Sequence, residues 1–450
     1  MNCKKENMYR LEGRVPLQDA IPLGMQHVLA MYAGNLAPLL VVTGVLNINT
    51  NVKVILLQNA MFVAGLITLI QLYPIWKIGS GLPVVMGTSS GFIPVSISVG
   101  TQFGYSAIMG ASLLGAIMEF LLGFIIKPLR KILPHVVTGT VVLILGISLI
   151  PVGIQFIGGG VGLQSDPSFG SIANIVIGLI VFLVIIVFLV IIALKQFAKG
   201  FWSISSILIG VIVGYIIAVV FGMVDFTGVA EAAWFSIPKP IFMIEGLSYT
   251  FKIEAIIPYL LVYLATTVET IGDNTGIAVG GLGRDITDNE LEGAVHADGF
   301  GSAVATLFGI MPNTSFSQNV GLVAMTKIVN RFVLMTGAIF LILCSFIPKL
   351  GAIVASIPNC VLGGAVLLMF AMISISGLNL LIEEGKISER SGLIVAASCA
   401  VGLGLSNFPE VMQHLPSWFQ SMFGQAIVGG FVTATVLNLI LPKDILNIEK

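Results

Sequence analysis

Two carboxylates four residues apart, Glu269 and Asp273, stand in the stretch LATTVETIGDNT (264–275), and on a helix they share one face. Acids that close, partly removed from water, disfavour double ionisation, so one of them could take up a proton. At a solvated helix end, both would instead be ionised. A second polar island, IMPNTSFSQNVGLVAMTK (310–327), gathers Asn, Thr, Ser, Ser, Gln and Asn inside apolar sequence. Gln318 and Asn319 are primary amides that offer both donor and acceptor. That suits a neutral planar ligand with alternating N–H and C=O groups, although both amides could equally satisfy loose backbone. His27 follows Gln26 in IPLGMQHVLAMYAGNLAPLL (21–40), as a structural hydrogen-bonder or as a proton-coupling, site-shaping group. Glu119 lies in an apolar run where it could pair with another helix. Asp298, in ADGFG (297–301), is expected to open a span, where it could cap a helix or bond the polar centre.

The setting makes these few ionisable groups informative. Of 450 residues, 56% are hydrophobic and only 10% charged, with mean hydropathy +1.03. Soluble domains carry roughly 25% charged residues. The composition therefore predicts an all-α polytopic membrane protein whose partner is the lipid bilayer. The net charge of -1 says nothing about partners, and no basic patch points to nucleic acid. Cys3, Cys344, Cys360 and Cys399 show no C-x-x-C spacing, so neither a disulfide framework nor a zinc site is indicated. No metal cluster, nucleophile–base motif or phosphate loop suggests an enzyme or a cofactor. The first nineteen residues are polar and lack the apolar core of a signal peptide, which reads as a cytoplasmic lead-in.

Apolar runs predict fourteen spans, near 20–45, 54–73, 82–100, 105–126, 134–152, 171–193, 201–222, 255–272, 296–310, 311–329, 332–347, 358–382, 390–406 and 421–441. With both termini in the cytoplasm, this count leaves only Lys53, Lys239, Lys252 and Lys349 outside, and puts 17 of the 21 Lys and Arg inside. The positive-inside rule expects that bias. The stretch 223–254 is then an external linker separating seven spans from seven. Odd-numbered halves enter the membrane in opposite orientation, so an inverted repeat is expected.

The third span of each half supports the repeat. GSGLPVVMGTSSGFIP (79–94) and GIMPNTSFSQNVG (309–321) both run Pro, then a Thr-Ser pair, then Gly and a renewed apolar helix. Such stretches are poor helix interiors and plausible short extended segments. Unpaired backbone is tolerated at membrane depth only where protein or water satisfies it. The two segments, in spans 3 and 10, are therefore expected to pair as short antiparallel strands, each feeding a half-helix that points into the centre.

QNVGLVAMTK (318–327) fits the signature of the nucleobase–ascorbate transporter family (nucleobase:cation symporter-2): Q/E/P, N, any, G, four of any, T, then R/K/G. Gln26 with His27, Glu269 with Asp273, and Asp298-Gly resemble that family's other motifs in order, over essentially the whole chain. The resemblance implies a 7+7 fold whose core domain (20–132 and 255–347) slides in an elevator manner against a gate domain (133–222 and 348–441). A cytoplasmic segment (1–19), the linker (223–254) and a cytoplasmic tail (442–450) complete the chain, in a homodimer at the cell membrane. It implies that Glu269 accepts the N–H groups of a base and that Gln318 bonds the opposite edge. Ser89, Ser90, Ser317 and Asn319 would complete the contacts, with His27, Asp273, Asp298 and Gln26 in proton-coupling or site-shaping roles. Gln at 318 resembles the xanthine and urate branch. Two departures stand out: Ser90 occupies a position often held by Phe, with Phe92 two residues on, and Asp273 stands where some uracil carriers have His.

The expected function is proton-coupled import of xanthine or uric acid. A uracil or other nucleobase carrier and sodium coupling are alternatives within the family. A channel or an anion carrier of related fold is more remote, since Glu269 would repel an anion. The orientation is testable: alkaline phosphatase fused after Lys239 is expected to be active, and fused after Arg284 or Pro442 inactive. A reversed pattern would overturn the span count.

Overall fold

The computed structural model describes residues 5–126, 134–160, 166–193, 206–382 and 387–442. Cys3, residues 201–205 of the seventh expected span, the tail 443–450 and the expected inside charges Lys4, Lys127, Arg130, Lys131, Lys195, Lys199, Lys386, Lys443 and Lys450 lie outside them. The described elements, in order, are α1 (Leu17–Val45), α2 (Thr50–Leu72), β1 (Met86–Thr88), α3 (Ile93–Phe103), α4 (Tyr105–Phe124), α5 (His135–Gly158), α6 (Ile172–Ala193), α7 (Ser206–Val220) and α8 (Thr227–Glu231). They continue with α9 (Ile253–Leu282), α10 (Asp288–Leu307), β2 (Asn313–Ser315), α11 (Ser317–Thr326), α12 (Arg331–Ser345), α13 (Pro348–Ala355), α14 (Asn359–Ile382), α15 (Glu389–Asn407), α16 (Ser417–Phe423) and α17 (Ala426–Ile440). Among the described residues, six helices are long and apolar enough to cross a membrane, or seven if α12 and α13, bent by 84° at their junction, form one span.

The helices pack in two sets. One comprises α1, α2, α3, α4, α9, α10, α11 and α12, with both strands held between α1, α2, α9 and α10. The other comprises α5, α6, α7, α14, α15 and α17. The tightest seam joins α5 to α14, because Gly139, Gly146 and Gly153 recur every seven residues along one face of α5. A methyl at Gly146 would stand 2.4 Å from the Ser374 backbone N, so only glycine permits that approach. Amphipathicity is reversed relative to soluble helices. On α4, Leu114, Ile117, Leu121 and Phe124 form an exposed apolar stripe, while Ser112 and Glu119 are buried on the other face.

The half-broken spans form as expected. β1 pairs antiparallel with β2 in the register Met86↔Ser315, Gly87↔Thr314 and Thr88↔Asn313. Bonds from Ser89 N to Pro312 O (2.8 Å) and from Phe316 N to Val85 O (3.0 Å) extend the ladder at both ends. A two-stranded sheet has two edges that must be satisfied in an apolar interior. Side chains do this. Thr68 Oγ1 accepts Met86 N–H (2.9 Å) and Asn35 Oδ1 accepts Thr88 N–H (2.7 Å). On the other edge, Ser302 Oγ accepts Asn313 N–H (3.1 Å) and donates to its carbonyl (2.9 Å).

Three boundaries depart from expectation. α9 runs on to Leu282, so Glu269 and Asp273 lie well inside a helix and not at its end. α10 begins at Asp288, where Thr287 and Glu290 form a capping box; Asp298 therefore sits mid-helix and opens nothing. The polar N-terminal segment is tied down: Asn330 Nδ2 donates to the carbonyls of Asn7 (2.9 Å), Arg10 (3.0 Å) and Gly13 (3.1 Å), while Asn330 Oδ1 caps α12. In each case a few polar side chains set the boundary, and hydropathy averaged over a span is blind to them.

Ser302→Ala would leave both backbone groups of Asn313 unsatisfied, a cost of about 1–3 kcal/mol per buried group. The expected result is a lower melting temperature of the detergent-solubilised protein, larger than for an exposed serine such as Ser388→Ala. Equal melting temperatures would remove Ser302 from the sheet's support.

Candidate functional site

The sheet delivers two helix N-termini to one place. After β1, the chain turns through Ser90–Phe92 into α3; after β2, α11 starts at Ser317 with no side-chain cap. First-turn N–H groups have no partner within their helix; that of Asn319 bonds Phe316 O (2.9 Å), and α11 turns the positive end of its dipole toward the centre. The other end of α11 is fixed by Lys327, which adopts a left-handed conformation and donates from Nζ to Gly280 O of α9 (2.5 Å).

Carboxylates from α9 and α10 meet the strand hydroxyls. Ser315 Oγ donates to Asp273 Oδ2 (2.6 Å). Thr314 Oγ1 donates to Asp298 Oδ2 (3.2 Å), and Thr270 Oγ1 donates to the same oxygen. The Ser317 hydroxyl is within hydrogen-bonding reach of both Glu269 and Asp273. Asp273 is 7% exposed and Asp298 0%, whereas Glu269, Ser90 and Ser317 are each half-buried. Glu269 is thus the most accessible of the three acids, and the other two are held by strand hydroxyls. A side chain added at Gly272, next along the same helix, would meet Leu380 of α14, so this face of α9 looks toward the second helix set.

Asn319 and His27 are brought together. Asn319 Nδ2 lies 3.2 Å from His27 Nδ1 and donates to the His27 carbonyl (3.3 Å), joining α11 to α1. Gln26 is buried in the same turn of α1. His27 is thus tied to α11 through Asn319. Gln318 is the second residue of α11; its side chain lies outside the described residues. The Ser89 N–H donates to Pro312 O (2.8 Å) and its hydroxyl accepts Gly91 N–H (3.2 Å), so Ser89 shapes the turn into α3.

Phe92 is not a stacking surface for a ligand. It is fully buried and packs on Tyr259 (centroids 5.6 Å) and Tyr263 (4.6 Å). Phe316 lies over Gly34 and Gly87 instead, where a methyl would be 2.7 Å from its ring at either position. The residues missed from sequence are the ones that hold the site: Asn35, Thr68, Thr270, Ser302, Thr314 and Ser315. The last two lay in plain view in the polar island. Which carboxylate each would meet depends on strand register, which short-range sequence does not encode.

A family model described as Permease family (Xan_ur_permease) matches residues 18–411. The uric acid permease PucJ of Bacillus subtilis is 34% identical over 420 residues, covering 93% of this chain and 91% of its own. The xanthine permease XanQ of Escherichia coli K12 is 34% identical over 452 residues, covering 97% and 94%. Among solved structures, the transmembrane domain of the cyanobacterial bicarbonate transporter BicA superposes with a TM-score of 0.59 at 14% identity, over 96% of this chain and 100% of that one. That likeness is one of fold alone, and it identifies a mostly helical membrane-transporter architecture. With sequence identity above 30% along nearly its full length and a family model spanning most of it, the chain belongs to the nucleobase–ascorbate transporter family of membrane permeases and is a transporter, not an enzyme.

Proposed function

We propose that the protein imports an oxidised purine, xanthine or uric acid, by proton symport through an elevator-type movement. The observation that carries this reading is the β1–β2 pair. It sets the start of α11 beside Glu269, so an acceptor for N–H groups faces a set of backbone donors in a protein-lined polar centre. Burying a polar heterocycle costs several kcal/mol unless each group finds a partner. In this reading Glu269 accepts the ring N–H groups and Gln318 bonds the opposite edge. Ser90, Ser317 and Asn319 supply or position further contacts. Relatives named uric acid permease and xanthine permease support this substrate class, as does Gln at the first signature position.

In this reading the chain divides into core (20–132, 255–347) and gate (133–222, 348–441), joined by the linker 223–254; the two helix sets favour such a division, except that α13 (Pro348–Ala355) packs on α2 of the first set. Fourteen spans in a 7+7 inverted repeat, cytoplasmic termini at the cell membrane and a homodimeric assembly belong to the same proposal. Their support is the antiparallel crossing of the two half-broken spans and the bias of lysine and arginine. A proton taken up at Asp273, Asp298 or His27 would offset the charge of Glu269. No cofactor is needed, and sodium is the alternative coupling ion.

Uptake of labelled xanthine, with uracil, urate, hypoxanthine and guanine as competitors, tests the reading. Urate is expected to compete and uracil to fail. Gln318→Glu is expected to lower xanthine uptake by about tenfold or more, equivalent to about 1.4 kcal/mol. The absence of any saturable xanthine uptake would refute the substrate class; a preference untouched by Gln318→Glu would remove Gln318 from selectivity. Collapse of the pH gradient is expected to stop accumulation, and accumulation that follows sodium instead would assign the other ion.

A further inference from the structure

Glu119 plays no part in the site described above, yet it is buried beside it. It is 1% exposed, on the inward face of α4, and Asp298 of α10 is 0% exposed. The helices meet there backbone to backbone: a methyl at Gly299 would stand 2.3 Å from Phe120 N and 2.9 Å from Ala116 O. This contact brings the two acids within hydrogen-bonding reach of each other. Each leaves one buried oxygen, Glu119 Oε2 and Asp298 Oδ1, with no hydroxyl or amide donor.

The donors that do reach Glu119 are few. Thr266 Oγ1 (3.4 Å) and Thr267 Oγ1 (3.1 Å) address Oε1, but each hydroxyl has one hydrogen and also lies against the Tyr263 carbonyl, at 3.2 and 2.8 Å. No cation balances the pair among the described residues. Toward them α9 presents Tyr259, Tyr263, Glu269 and Asp273, all neutral or acidic. The Tyr259 hydroxyl meets Ser96 Oγ (2.5 Å), and Tyr263 donates to Ser112 O (3.0 Å). Farther along α10, His296 packs between the rings of Phe120 (4.8 Å) and Phe124 (4.4 Å), and beyond it Lys77 pairs with Glu292 (2.6 Å). β2 offers Asp298 the Thr314 hydroxyl (3.2 Å) and carries no charged side chain. Two facing anions in such a place would repel without any compensating charge.

We propose that Glu119 and Asp298 share one proton as a carboxyl–carboxylate pair, and that this pair is the proton-holding element of the transport cycle. Loading forms one O–H bond on Glu119 at the expense of a hydronium ion, releases water, and takes the pair from two negative charges to one. The Glu119 O–H then donates to Asp298 Oδ1. Asp298 Oδ2 is bound to Thr314 of β2 and to Thr270, which adjoins Glu269. Losing the proton leaves Asp298 facing a second anion, and the resulting strain falls on the strand that positions α11. Protonation is thereby linked to the ligand-facing acid without direct contact.

The inference rests on the transporter reading for its role in the cycle, but the shared proton can be read without any substrate. Infrared spectra of the purified protein are expected to contain a buried protonated-carboxyl C=O band. That band should disappear in Glu119→Gln, and shift without disappearing in Glu119→Asp. The second variant keeps the test decisive if the first fails to fold. In vesicles, uptake by the wild type is expected to fall as pH rises from about 6 to about 8, and that response should shrink about threefold or more in Glu119→Gln. No such band in the wild type, or a band unchanged in both variants, would overturn the pair. A wild type that shows the band but takes up no purine would refute the proposed substrate and leave the pair standing.

Discussion

Every peptide group in residues 85–89 and 312–316 carries an N–H and a C=O that an apolar interior will not hydrate, Pro312 alone lacking the N–H. Leaving such groups unpaired costs several kcal/mol each. The break in the two spans survives because each broken segment is the other's partner, and because Asn35, Thr68 and Ser302 supply the outer edges of the pair. Much else depends on this ladder. It orients two helix starts toward one centre, and it holds Thr314 and Ser315 in the register that meets Asp298 and Asp273. A slip of one residue would turn those hydroxyls away, costing Asp273 its Ser315 donor and leaving Asp298 with Thr270 of α9 in place of two hydroxyls.

Electrostatics divides the acids by their surroundings. Glu119, Glu269, Asp273 and Asp298 form no ion pair with lysine or arginine among the described residues. They are held by threonine and serine hydroxyls, which stabilise a charge modestly and do not cancel it. A centre built this way is short of positive charge. A proton, a cation or the N–H edge of a ligand can each make up part of the deficit, which is the physical ground for the proposed coupling of ligand binding to ion movement. Arginine in the same place would satisfy the acids permanently and remove the link.

Movement needs an interface that can slide, and the packing offers a contrast. Within the second helix set, α5 and α14 are locked by glycines at Gly139, Gly146 and Gly153, where the backbones touch. Across the face of α9 that carries Glu269, the nearest neighbour at Gly272 is the flexible end of Leu380. Backbones touch inside the second set, while at this position the two sets meet through a side chain, the looser contact that the proposed elevator movement would need.

Much of the architecture could be read from the residues themselves. Apolar runs mark where helices must lie, because a bilayer admits little else. The Pro–Thr–Ser–Gly stretches at 83–91 and 312–321 mark where helices must fail. The i, i+4 spacing of Glu269 and Asp273 shows that they share a face, since that follows from helix geometry alone. Tertiary structure decided the rest. It showed Asp298 to be mid-helix because a capping box ten residues upstream starts α10 early. It took Phe92 into the aromatic core beside Tyr259 and Tyr263, and set Phe316 over two glycines instead. It also turned Glu119 toward Asp298. Those outcomes depend on contacts between residues well over a hundred positions apart in several cases, and local sequence carries no record of which distant backbone a small residue will let come near.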